Sequence, residues 1–133
     1  MKVAIRDHKS SGLALVPFEP IADCLEPEAR KCFWQVRYVE GMLAQNDDSY
    51  TIDDAYADAE ASLAAPLSWL ALRSWASRFF QFYDCEFKAI ENEYCDITIS
   101  CLDSGRWEIS TQRESIVQRL IASFKDTEEL LGD

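Results

Sequence analysis

The chain reads as one α+β domain spanning residues 1–133, with helices packed on a small antiparallel sheet. Three observations predict this. Apolar residues recur at helical spacing in some stretches, they alternate with polar residues in another, and the two kinds of stretch do not interleave as the strand-helix-strand units of a parallel sheet. No repeat, low-complexity segment or linker rich in Pro, Gly or Ser divides the chain. With 48 % apolar and 12 % aromatic residues, it can bury enough surface to offset the entropy of ordering its backbone.

Two short β-like runs come first, residues 2–6 and 12–16, separated by the turn-forming Asp7-His8-Lys9-Ser10-Ser11. They predict a hairpin, and Pro17 either ends its second run or places it at a sheet edge. From Pro27 onward Ala29, Cys32, Phe33, Val36, Val39, Met42 and Leu43 recur at helical spacing. A proline suits the first helical position, where its missing N–H would be unpaired anyway, so a helix is expected to about residue 45. Trp34, Val36 and Tyr38 also alternate with Gln35 and Arg37, which keeps a strand as the rival reading of residues 32–40.

Asn46-Asp47-Asp48-Ser49 breaks the pattern. Thr51 then offers a helix cap, and Asp53 and Asp54 suit a positive first turn. Ile52, Tyr56, Ala59 and Leu63 form an apolar stripe, with Asp54 and Asp58 on the opposite, acidic side. Pro66 restarts the chain as a helix running to Tyr83 that is apolar over most of its circumference, through Trp69, Leu72, Trp75, Ala76, Phe79, Phe80 and Phe82. A helix of that kind belongs at the centre of a fold.

Residues 84–93 read as a polar connection. Cys95, Ile97, Ile99 and Cys101 then alternate with Asp96, Thr98 and Ser100, and after Asp103-Ser104-Gly105 the alternation resumes at Trp107 and Ile109. This is a hairpin with one buried and one wet face. The capping-box pattern Thr111-Gln112-Arg113-Glu114 opens a last helix, carried by Ile116, Val117, Leu120, Ile121 and Phe124 and ended at the latest by Gly132.

Charge narrows the function. The 24 acids against 13 scattered bases give a net charge of −11, which disfavours direct binding to nucleic acid or to anionic membranes. No run approaches a membrane span, and the N-terminus lacks the apolar core of a signal peptide. The five cysteines are odd in number, and no two have the spacing of a redox or zinc motif. Reduced thiols in a cytoplasmic protein are the expectation.

Chemistry-bearing patterns are absent from the sequence. The lone histidine, His8, falls in a turn; the acids around Asp47 and Asp53 lack the spacing of a calcium loop; the four glycines stand apart. No catalytic residue, metal ligand or cofactor is assigned, and the chain is read as a non-enzyme. Glu86, Glu91, Glu93 and Asp96 are the densest carboxylates that acid-base chemistry could use, and they define an enzymatic alternative.

The candidate site lies elsewhere. Between Arg37 and Arg73 there is no base, while Glu40, Asp47, Asp48, Asp53, Asp54, Asp58 and Glu60 all fall in that interval, interleaved with Tyr50 and Tyr56. The bland reading is a solvated face that keeps the protein soluble. The functional one is a surface for a basic protein partner, with carboxylates placed where a nucleic-acid enzyme expects phosphates and tyrosines supplying rigid contact area.

The stretch from Ser68-Trp69-Leu70 through Trp75 to Ile97-Thr98-Ile99-Ser100-Cys101-Leu102-Asp103-Ser104-Gly105-Arg106-Trp107-Glu108-Ile109 resembles a family of bacterial polymorphic-toxin immunity proteins. Those proteins pair a tryptophan-bearing helix with a strand ending in Leu-Asp and a turn leading to Gly and Trp. The turn here lacks the family's Asn-Pro, its Trp-Glu-His segment is missing, and no functional residue is carried over. The resemblance implies a small cytoplasmic antidote that binds a cognate toxin domain. The expected function is therefore an immunity-type protein that neutralises a basic toxin, a nuclease above all, by occupying its active-site region. A phage or plasmid anti-defence inhibitor that mimics nucleic acid is the alternative. An exposed aromatic patch including Trp34, Tyr38 and Phe87 would instead make a homodimer.

Overall fold

The computed structural model describes residues 1–8, 15–44 and 48–130. Its seven strands are β1 (Lys2–Ile5), β2 (Phe33–Leu43), β3 (Leu67–Ser68), β4 (Phe79–Ala89), β5 (Thr98–Leu102), β6 (Arg106–Ser110) and β7 (Thr127–Leu130). They form one antiparallel sheet in the order β3-β2-β4-β5-β6-β1-β7. The helices are α1 (Phe18–Leu25), α2 (Ile52–Ala61), α3 (Trp69–Ala76) and α4 (Glu114–Ser123), with a 3₁₀ turn at Glu28–Lys31. The α+β class is thus as the sequence predicts. One face of the sheet, through Val3, Ile5, Trp34, Val36, Cys85, Phe87, Ile99, Cys101, Trp107 and Ile109, shares a single core with helix residues such as Ile21, Leu25, Leu72, Trp75, Ile116 and Leu120. The other face is open. Among the described residues no helix is long and apolar enough to cross a membrane.

The expected helix over residues 27–45 is the largest correction. Among the described residues only the 3₁₀ turn after Pro27 is helical, and Phe33–Leu43 is strand β2, as the rival reading held for residues 32–40. Trp34 and Val36 point inward, and the Trp34 indole N–H donates to the Ala29 carbonyl at 3.3 Å. Aromatic and β-branched side chains in alternation fit a pleated surface better than a helix, and pairing with β4 along almost the whole strand decides the matter. Trp34 and Phe87 are buried in the core and cannot form a dimer patch; only Tyr38 of that trio is exposed.

The apolar run after Pro66 is three elements, the first of them the short strand β3. Helix α3 ends at Ala76, and Phe79 begins β4, which takes in residues 84–89 of the expected polar connection. Cys85, Phe87 and Ala89 face the core while Asp84, Glu86 and Lys88 face out. Charged residues on the wet face disguised this strand.

Helix α1 has no counterpart in the sequence reading, because Pro17 and Pro20 interrupt a short apolar pattern that buries Phe18, Ile21, Ala22, Cys24 and Leu25. Of the expected N-terminal hairpin, the described residues show a bridge between His8 and Leu15 and a bond from the Val16 N–H to the Asp7 carbonyl at 2.8 Å. Residues 9–14 lie outside the described residues. β1 pairs instead with β6 on one side and β7 on the other.

The hairpin of β5 and β6 is as predicted. Its turn places Asp103 and Ser104 at φ 51° and 55°, and the Gly105 N–H donates to the Leu102 carbonyl at 2.9 Å. Those left-handed residues are held from β4, since the Asp103 N–H donates to Asp84 Oδ1 at 2.9 Å and the Ser104 N–H to the Tyr83 carbonyl at 2.8 Å.

The last helix starts later and ends sooner than its pattern suggested. Thr111 is buried, donates to Asp96 Oδ1 at 3.0 Å and accepts from the Arg113 N–H, so Arg113 is the N-cap and no capping box forms there. After Ser123 the chain becomes β7, anchored where the Asp7 carboxylate accepts from the N–H groups of Lys125 and Asp126. Gly132 lies outside the described residues.

The expectation of five reduced thiols is also corrected. Cys32 and Cys95 form a disulfide, with Cα atoms 5.7 Å apart, that ties the start of β2 to the segment leading into β5. Their separation of 63 residues hides the pairing from any spacing rule. Cys24, Cys85 and Cys101 are buried thiols. Burial pushes the Cys85 thiol well up and Cys101 up to about 12, which leaves them packed and unreactive.

Candidate functional site

Helix α2 is built as the sequence implies. The Asp54 N–H donates to Thr51 Oγ1 at 3.2 Å and the Thr51 N–H to Asp54 Oδ2 at 2.9 Å, a complete capping box. Ala55 and Ala59 are its buried residues, and the Trp75 indole donates to the Ala55 carbonyl at 3.2 Å, which fixes the helix against α3. Ser62, one residue past its end, accepts from the Val36 N–H at 2.8 Å and locks the helix to β2. The short apolar footprint leaves Asp53, Asp54, Asp58 and Glu60 exposed on a rigid element.

Besides Asp54 in the capping box, two of the candidate residues have local partners. The Tyr50 hydroxyl donates to Asp58 Oδ2, and the Arg78 guanidinium carbon lies 3.9 Å from the centre of the Tyr50 ring. Partial burial and then the hydrogen bond to Asp58 push the Tyr50 phenol up to about 12, so it remains a donor at physiological pH. Arg78 thus reaches the acidic segment from the turn after α3. Tyr56 is half-buried on α2.

The remaining candidates do not sit on α2. Glu40 projects from the open face of β2, opposite Asp84 of β4, whereas α2 packs on the covered side, where Ala59 joins the core. Asp48 lies between them, lining an open groove with Gly41, Met42, Leu43, Tyr50 and Ile52. The acids therefore run as a band around the end of β2 rather than as one helix face. Asp47 lies outside the described residues.

Their electrostatic state differs from that of the acids that ion pairs hold elsewhere in the chain. Arg73 holds Glu19, Asp23 at 2.9 Å and Glu26 at 2.8 Å; Arg119 holds Glu28 at 2.6 Å; Arg106 and Lys2 hold Glu108; Arg6 holds Glu128. A hydrogen bond from the Trp69 indole, with Arg30 and Arg73, brings the Glu26 carboxyl down to about 2. Among the described residues, no ion pair joins Glu40, Asp48, Asp53, Asp54, Asp58 or Glu60 to a lysine or arginine.

The sequence reading missed Tyr38, Asp84 and Glu86 as neighbours of Glu40 on the same face. Alternation of Cys85, Phe87 and Ala89 with the charged residues was the signal that would have found the last two. The carboxylates of the enzymatic alternative are dispersed. Glu86 stands on β4, Glu91 and Glu93 are exposed beyond its end, and Asp96 is occupied by Thr111 and by the Gln112 N–H at 2.6 Å. Glu91 and Asp96 border one shallow pocket with Lys88 and Thr98, which Glu86 and Glu93 do not reach.

No protein-family model, curated protein or solved structure matches this chain.

Proposed function

We propose that the chain is an immunity-type binding protein, which docks on a basic toxin domain such as a nuclease and covers the region where that enzyme holds phosphate groups. The observation that carries this reading is the band of carboxylates from Glu40 through Asp48 to Asp53, Asp58 and Glu60, which among the described residues form no ion pair, whereas Arg73 alone holds three acids elsewhere. Uncompensated charge raises the local potential and steers a cationic partner, speeding association up to about 10⁸–10⁹ M⁻¹s⁻¹ at low salt. Mounting most of the band on a capped helix locked to β2 and α3 keeps those carboxylates in place before the partner arrives, which lowers the cost of ordering on binding.

The test uses Asp53→Lys/Glu60→Lys, because Asp54 caps the helix and Asp58 holds Tyr50. The basic protein retained by the wild-type chain from its source cells is purified, and its association rate is measured by stopped flow from 20 to 500 mM salt. At low salt the variant is expected to associate about tenfold more slowly and with a flatter salt dependence. Equal rates for the two chains at every salt concentration remove the acidic band from the interface.

A further inference from the structure

The open face of the sheet has two halves of different character. Over β5, β6 and β1 it presents Thr98 and Ser100, with Ala4 buried beneath its neighbours, and its charges satisfy each other: Glu108 lies 2.6 Å from Arg106 and 3.6 Å from Lys2, and Arg6 lies 3.1 Å from Glu128. Over β2 and β4 the same face carries large apolar groups in water. Phe33, Tyr38 and Met42 are 61, 47 and 43 % exposed along β2, and Tyr83, at the bulge beside Asp84, is 39 % exposed.

Three carboxylates stand among them, with Lys88 further along β4 on the same side. The register sets Glu40 opposite Asp84 and Tyr38 opposite Glu86. Like charges facing each other across a ladder destabilise it, and among the described residues no lysine or arginine forms an ion pair with any of the three. Partial burial, and then the Glu86 carboxylate, raise the Tyr38 phenol above its ordinary value. An aromatic strip inside a rim of unneutralised charge has the composition of an interface centre rather than of a solvated sheet face.

We infer that the β2–β4 half of the open face is a docking surface for a basic protein, whose apolar side chains cover Phe33 and Tyr38 while its lysines or arginines meet Glu40, Asp84 and Glu86. Charge selects this occupant. A second copy laid face to face would set those carboxylates against their own counterparts in a chain of net charge −11, and nucleic acid or an anionic lipid surface would be repelled in the same way. The inference rests on the reading of a basic partner but assigns the contact to the opposite side of the sheet from α2.

The ¹⁵N-labelled protein is titrated with a synthetic peptide of alternating arginine and tryptophan, and amide shifts are mapped. Shifts are expected at Tyr38, Glu40, Asp84 and Glu86, and Tyr38→Ser/Glu86→Gln, both at positions outside the core, is expected to weaken binding by about fivefold or more. Shifts confined to α2, or binding unchanged in that variant, overturn the sheet-face assignment while leaving an acidic helix that binds cations. No shift anywhere overturns the basic-partner reading as well. Sedimentation of the free protein is expected to show a monomer; a dimer dissolved by Tyr38→Lys overturns the inference in favour of a second copy.

Discussion

Replacing both Cys32 and Cys95 by alanine opens a covalent loop whose ends are 63 residues apart in the sequence, and the unfolded chain gains the entropy of that closure. For a loop of that length the chain-entropy relation gives about 14 cal/mol/K, or about 4 kcal/mol at 25 °C. A small domain holds only about 5–15 kcal/mol of stability, so this one bond is a large share. For a chain of this size the corresponding fall in Tm is about 15 °C. Circular dichroism melts of the two proteins measure it, with Cys24→Ala as the control for losing a buried sulfur that is not bonded. Thiol titration in denaturant provides the second readout, because three thiols are expected without reductant and five after reduction. Five thiols without reductant, or a double variant that melts with the wild type, would refute the bridge and restore the reduced-thiol expectation.

Glu26 predicts an acid limb in stability. Its folded carboxyl titrates at about 2 against an ordinary 4.5, so its contribution is fully present above pH 4.5 and is lost as pH falls from there toward 2. Urea midpoints measured between pH 6 and 2 should show this slope, and Glu26→Gln should flatten it; parallel curves would mean that the Trp69, Arg30 and Arg73 contacts are not made in solution. Gly41→Ala is expected to destabilise the protein by about 2 kcal/mol, since its Cβ would stand 2.6 Å from the Gln81 carbonyl and 2.9 Å from the Phe79 ring. A variant as stable as the wild type in urea would show that β2 and β4 are not so close there.

The elements legible in the sequence were those whose pattern is local. The β5–β6 hairpin shows strict alternation around a short turn, and α2 announces itself through Thr51 and Asp54. β4 and the second half of β2 were hidden because their wet faces carry charge or aromatics and their apolar spacing also fits a helix. For the site, the absence of bases between Arg37 and Arg73 foretold acids without ion-pair partners, but not that the chain would distribute them over two sides of the sheet.

By itself, then, the sequence determined the α+β class, the large apolar share, the acidic excess and the capped helix, because composition and short-range periodicity depend on neighbours within a few residues. Tertiary structure alone decided that Cys32 meets Cys95, that Glu40 faces Asp84, and that Arg73 gathers Glu19, Asp23 and Glu26. Such contacts join residues dozens of positions apart, and only the pairing of strands and the packing of helices on one face bring their side chains within reach of each other.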